Sequence, residues 1–91
     1  MVNLNGQRSN DPDALDSRGF TYLMLGRFKE AIADYDAVLA RNPRQSSSLY
    51  GRGRARLRSQ SDPEGGRADL AAAKALDPGV ATEFARYGLH E

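Results

Sequence analysis

The sequence contains no cysteine and no tryptophan, and a single histidine, His90, among its 91 residues. The lack of cysteine excludes disulfides, thiolate metal sites and a cysteine nucleophile. A catalytic triad needs a histidine that is packed on both sides, and a zinc or iron site usually needs two or more His or Cys ligands. One histidine next to the C-terminus supports neither, so we expect no catalytic residues, no metal site, no cofactor and no enzyme activity.

Long apolar runs are also missing, since none approaches the roughly 18 residues that a transmembrane helix needs. The first ten residues, MVNLNGQRSN, are polar and do not form a secretory signal. We therefore expect residues 1–10 to be a flexible N-terminal segment and residues 11–91 to form one soluble domain. The default compartment is the cytoplasm, and no membrane partner is expected.

A repeat of about 34 residues runs through the chain. Glycine recurs at intervals of 34 and 35 residues, at Gly19, Gly53 and Gly88. Two dipeptides recur in the same register, Arg-Gly at 18–19 and 52–53 and, after a one-residue insertion, Ala-Asp at 33–34 and 68–69. Such a period is typical of stacked supersecondary units rather than of one compact core.

Each period predicts a pair of helices. The clearest helix spans about 28–41, where one apolar stripe follows helical spacing: Phe28, Ala31, Ile32, Tyr35, Val38 and Leu39. Capping residues followed by proline predict helix starts at Asp11-Pro12 and at Pro63, where either Ser61 or Asp62 is the cap. We predict an all-α chain without strands, with helices at about 11–25, 28–41, 45–58, 63–76 and 79–88.

These features resemble the tetratricopeptide repeat, a helix-turn-helix unit of this length. Residues 12–45 match nearly the whole family pattern, at Gly19, Tyr22, Gly26, Phe28, Ala31, Tyr35 and Pro43. Residues 46–79 keep Leu49, Gly53, Leu70, Ala73 and Pro78. They depart from the pattern where Arg56 replaces an aromatic residue, Gln60 the turn glycine and Gly66 an alanine, so we expect a looser second repeat. Gly19 and Gly53 are expected to let helices approach closely.

The resemblance implies a right-handed α-solenoid of antiparallel helix pairs with about five helices. Repeat 1 would span 12–45, repeat 2 would span 46–79, and 80–89 would form a C-terminal capping helix. The common role of the family is that of a scaffold for protein–protein interaction. Its concave face, lined by the first helix of each pair, binds an extended peptide or a partner helix.

The resemblance also implies a set of groove residues. Carried over position by position, they are Asp13, Asp16, Phe20, Leu23, Met24, Ser47, Tyr50, Arg54, Leu57 and Arg58. Phe20 and Tyr50 would offer large rigid contact areas, and the two arginines would form bidentate bonds to carboxylates. Packing in the core is the alternative for both aromatic residues and for the two leucines.

The formal net charge of +1 hides a separation of charge along the chain. Residues 37–61 hold six arginines and no acid, whereas 11–36 and 62–91 each carry a net charge of −3. A solvated arginine face is one interpretation, and an acidic partner segment is another. Nucleic acid is a weaker option, because no series of stacking aromatic residues accompanies the arginines.

Three functions follow from these patterns. The first is an interaction module that binds a peptide or partner helix, with an acidic segment as one option. The second is self-assembly into homo-oligomers, because two repeats and a cap leave one side of the first helix pair uncovered. A chain that is part of a longer repeat protein would account for the same uncovered side. The third is nucleic-acid binding through the arginine stripe.

Overall fold

The computed structural model describes residues 11–88, which form five helices: α1 (Pro12–Met24), α2 (Phe28–Arg41), α3 (Ser46–Ser59), α4 (Pro63–Leu76) and α5 (Val80–Ala85). The first four agree with the predicted helices to within about one residue at each end. The fifth is shorter than predicted, because the chain turns after Ala85. The described residues do not include the expected flexible segment 1–10, the last position of the expected capping helix (89) or His90.

Capping side chains and proline set the starts of two helices. Asp11 accepts a hydrogen bond from the backbone N–H of Asp13 at 3.1 Å, which caps α1. Asp62 accepts one from the N–H of Gly65 at 2.9 Å, so Asp62 rather than Ser61 caps α4. A proline follows each cap, where the missing N–H costs nothing because the first turn has no acceptor for it.

The turns inside the two repeats are built alike. Gly26 follows α1 with a φ of 79°, and Gln60 follows α3 with a φ of 59°. The backbone N–H of each donates to the carbonyl three residues earlier, at 3.1 Å for Gly26 and 3.2 Å for Gln60. Gln60 thus takes the left-handed conformation for which the family usually has glycine, at a modest cost in backbone strain.

One apolar core runs through the stack of helices. α3 packs against each of the other four helices, which puts it at the centre. The buried cluster draws on all five helices: Leu23, Ala31, Tyr35, Leu39, Leu49, Tyr50, Ala55, Leu70, Ala73, Val80 and Phe84. No strand occurs between residues 11 and 88, and no helix in that range has both the length and the apolar composition needed to cross a membrane.

Glycines mark the places where helices come closest. A Cβ at Gly19 would lie 3.1 Å from the ring of Tyr35, and one at Gly51 would overlap that ring. A Cβ at Gly53 would lie 2.8 Å from the carbonyl oxygen of Gly66. The prediction for Gly19 and Gly53 is therefore confirmed. Gly66, in place of alanine, likewise lets α4 approach α3 closely, and the expected loosening of the second repeat stays a prediction.

Each repeat contains the same ion pair between its two helices. Arg18 donates to Asp34 through Nε and Nη2, both at 2.8 Å. Arg52 donates to Asp69 through the same atoms, at 2.8 and 3.0 Å. These hydrogen bonds raise the pKa of Arg18 and of Arg52 above the ordinary arginine value. The recurring Arg-Gly and Ala-Asp dipeptides thus have a physical cause, which is a bidentate guanidinium–carboxylate contact.

Two further contacts connect this network. Arg52 also donates from Nη1 to Asp36 of α2 at 2.9 Å, which joins the first repeat to the second. Arg56 donates from Nη1 to Asp69 at 2.9 Å. It occupies the position that Tyr22 has in the first repeat, so an ion pair replaces the aromatic contact of the family pattern.

Candidate functional site

A cleft of about 340 Å³ lies between α1, α3 and the C-terminal end of the stack. Its lining comes from α1, α2, α3, α5 and the turn after α5: Asp16, Ser17, Phe20, Thr21, Tyr35, Ser47, Glu83, Phe84 and Tyr87. The volume lies in the range of small-ligand pockets. It is large enough for side chains of a partner but not for a whole helix.

Aromatic rings form one wall of the cleft. The ring of Phe20 meets Phe84 with centroids 5.5 Å apart and Tyr87 with centroids 5.3 Å apart, both edge to face. The ring of Tyr50 lies behind them, 4.6 Å from that of Phe84. These contacts connect α1 and α3 to α5, and Tyr87 remains 57% exposed at the edge of the cleft.

Polar groups connect α1 to α3 at the base of the cleft. Asp16 accepts hydrogen bonds from the hydroxyls of Ser48 at 2.7 Å and Ser47 at 3.1 Å. Burial, together with the negative charges of Asp16 and Asp34, raises the pKa of Tyr35 far above the ordinary tyrosine value. The Tyr35 hydroxyl therefore stays protonated at physiological pH.

The cleft brings together three of the predicted groove residues, Asp16, Phe20 and Ser47. Asp13 and Met24 are exposed but lie outside its lining. Arg58 also lies outside it, with its guanidinium carbon 5.8 Å from the ring centroid of Phe28. The assignment of these residues to a bound partner stays a prediction.

Two predicted groove residues on α3 are buried instead of open to a partner. Tyr50 is 1% exposed and Arg54 is 7% exposed, and neither lines the cleft. Tyr50 belongs to the core cluster because Phe84 of α5 packs on its ring, so its alternative interpretation as a core residue is correct. Leu23 is likewise buried in the core, and Leu57 packs against it.

The arginine-rich segment meets acids from the neighbouring helices. Arg52 is bound by Asp69 of α4 and Asp36 of α2, and Arg56 is bound by Asp69. The positive segment thus meets the two negative segments across helix contacts. The arginine-rich segment is therefore not left wholly to solvent or to a partner. The cleft itself is negatively charged, because Asp16 and Glu83 are the only acidic or basic side chains among its lining residues.

Several lining residues were not predicted as site residues. Glu83, Phe84 and Tyr87 come from the C-terminal end, where the sequence predicted only a cap with apolar positions. The register of the third repeat could have identified them, because it puts α5 beside α3 as α3 lies beside α1. Ser17 and Thr21 carry no distinguishing pattern in the sequence.

Comparison with known proteins agrees with the geometry of the first helix pair. Residues 12–45, which cover α1, α2 and the turn to Gln45, match the family described as the tetratricopeptide repeat. No curated protein and no solved structure gives a significant match. Repeats of this family are generally modules of protein–protein interaction, and typically not enzymes. The first helix pair is thus similar to a tetratricopeptide repeat, and the five helices are consistent with such repeats.

Proposed function

We propose that the protein binds a segment of a partner protein, a peptide or a helix, on its concave face at the cleft between α1, α3 and α5. The observation that carries this proposal is the aromatic wall, where Phe20 is half-buried and Tyr87 is exposed. Exposed aromatic rings that line a concavity are typical anchors for a partner side chain. The cleft volume suits one or two side chains that project from a peptide or helix lying across it.

The arginines give less support to an acidic partner than their number suggests. Asp69 binds both Arg52 and Arg56, and no arginine or lysine lines the cleft. Arg41, Arg44 and Arg58 are exposed, but no series of stacking aromatic residues accompanies them. Nucleic acid is for that reason not proposed as a ligand.

A peptide selection tests the proposal. Peptides selected from a random display library on the full chain are expected to lose at least about tenfold in affinity when Tyr87→Ser is made, because an interface anchor typically contributes 1.4 kcal/mol or more. The Kd values are measured by calorimetry. Leu25→Ser is the matched control, since Leu25 is 65% exposed and lies outside the cleft. Equal affinities for the two variants would remove the cleft as the binding site.

Self-assembly is a second candidate, favoured by the apolar end of α1. Met24 is 51% exposed, and Leu25 beside it is more exposed still. Packing these side chains against a second copy would bury apolar surface that the chain itself leaves open. Light scattering from micromolar to millimolar protein is then expected to show a mass above the 9.9 kDa of one chain, and Leu25→Ser should lower it. A mass of one chain throughout would exclude this candidate.

A further inference from the structure

We infer that the partner presents a cationic side chain, arginine or lysine, to this cleft, so that the protein recognises a basic segment. The inference rests on the proposed binding function and adds the chemistry of the partner. The partner is then basic, whereas the arginine-rich segment suggested an acidic one.

Charge complementarity favours a cation. Asp16 on α1 and Glu83 on α5 both line the cleft, and its lining includes no lysine, arginine or histidine. Neither carboxylate forms an ion pair with another residue between 11 and 88. By contrast, Asp34 and Asp69, which face the contacts between helices, are both bound by arginines of this chain. Within the described residues, the cleft is thus lined by two carboxylates that no cation of the chain pairs with.

The carboxylate of Asp16 is held in a fixed orientation. Ser47 and Ser48 donate to its two oxygens, one hydroxyl to each. A carboxylate offers about four acceptor positions, so two remain for a further donor. A guanidinium or ammonium group can use them without the entropy cost of first ordering the side chain.

The aromatic wall suits a cation as well as an apolar stem. A cation near the face of an aromatic ring is stabilised by the ring's quadrupole. The chain uses this contact itself, since the guanidinium of Arg27 lies 5.2 Å from the ring centroid of Tyr22 and that of Arg58 lies 5.8 Å from Phe28. The exposed ring of Tyr87 offers the same contact to an incoming side chain, whose methylene groups would cover the rest of the wall.

The test compares three peptides that differ only in charge. Blocked tripeptides with leucine at both ends and arginine, glutamine or glutamate between them are titrated into the isotopically labelled full chain, and Kd is measured from NMR shifts. We expect the arginine peptide to bind about three to ten times more tightly than the glutamine peptide, and the glutamate peptide to bind most weakly. The arginine peptide should shift resonances of Ser17, Phe20 and Tyr87.

A charge-neutralising pair of variants identifies the carboxylate. Glu83→Gln should weaken the arginine peptide about three- to fivefold and leave the glutamine peptide unchanged. Glu64→Gln is the control, because Glu64 is an exposed acid in the first turn of α4 and lies outside the cleft. It should change neither affinity.

The outcomes separate the inference from the function on which it rests. Equal affinity for the arginine and glutamine peptides, with shifts at the cleft, would overturn the cationic partner and support peptide binding. Tightest binding of the glutamate peptide would overturn it in the same way. If none of the three peptides shifts any resonance at millimolar concentration, both the inference and the proposed function are overturned.

Discussion

Asp69→Ala is expected to lower the free energy of unfolding by about 3 kcal/mol. Asp69 is buried and accepts three hydrogen bonds, two from Arg52 and one from Arg56. Without it, two partly buried guanidinium groups lose their main counter-charge at the contact between α3 and α4. A domain of this size typically has a stability of only about 5–10 kcal/mol, so the loss is a large share of the total.

Urea unfolding measured by circular dichroism checks this loss against a matched acid. Asp36→Ala removes one hydrogen bond to the same Arg52, but the Asp36 side chain is half exposed, so the expected loss is below about 1 kcal/mol. Asp34→Ala should lie between the two, because its partner Arg18 is half exposed. Similar losses for Asp69→Ala and Asp36→Ala would contradict the role given to the repeated ion pair.

Gly53→Ala is expected to destabilise the chain by about 2 kcal/mol, although alanine is the better helix former by about 1 kcal/mol. The added Cβ would lie 2.8 Å from the carbonyl oxygen of Gly66 and 3.0 Å from atoms of Asp69 and Leu70. A backbone oxygen cannot rotate away, so α3 and α4 would have to separate. The separation would also stretch the hydrogen bonds between Arg52 and Asp69.

Thermal and urea unfolding of two companion variants identify the cause. In Gly66→Ala, the added Cβ on α4 would lie 2.9 Å from the carbonyl oxygen of Gly53 on α3. This variant should therefore lower the free energy of unfolding by about as much as Gly53→Ala. Gly79→Ala is the control, because Gly79 has a φ of −88° and an added Cβ would have its nearest contact, an oxygen of Asp77, at 3.6 Å. We expect a change within about 0.5 kcal/mol there. A stabilising Gly53→Ala would show that the two helices are not in close contact.

The sequence was sufficient for the helices, because their boundaries depend on local chemistry. The apolar stripe of α2, the proline after each N-cap and the glycine after α1 all act within a few residues. The recurring Arg-Gly and Ala-Asp dipeptides are the two halves of the ion pairs Arg18–Asp34 and Arg52–Asp69. The sequence showed that these dipeptides recur, but it did not predict that they contact each other; that came from the structure.

The site was harder to predict, because its character depends on contacts between distant segments. The burial of Tyr50 depends on Phe84, which lies more than thirty positions away. The charge of the arginine-rich segment is offset by Asp36 and Asp69 of other helices, which a count along the chain cannot show. The cleft then takes its charge from Asp16 and Glu83, on two helices that only the tertiary fold brings together.

The most direct test of the account is a map of where a bound peptide contacts the protein. In NMR experiments on the full chain with a selected peptide, we expect intermolecular NOEs from peptide protons to the rings of Phe20, Phe84 and Tyr87. The outer faces of α2 and α4 should show none. NOEs confined to those outer faces, with none to the three rings, would contradict the central claim that the cleft between α1, α3 and α5 is the binding surface.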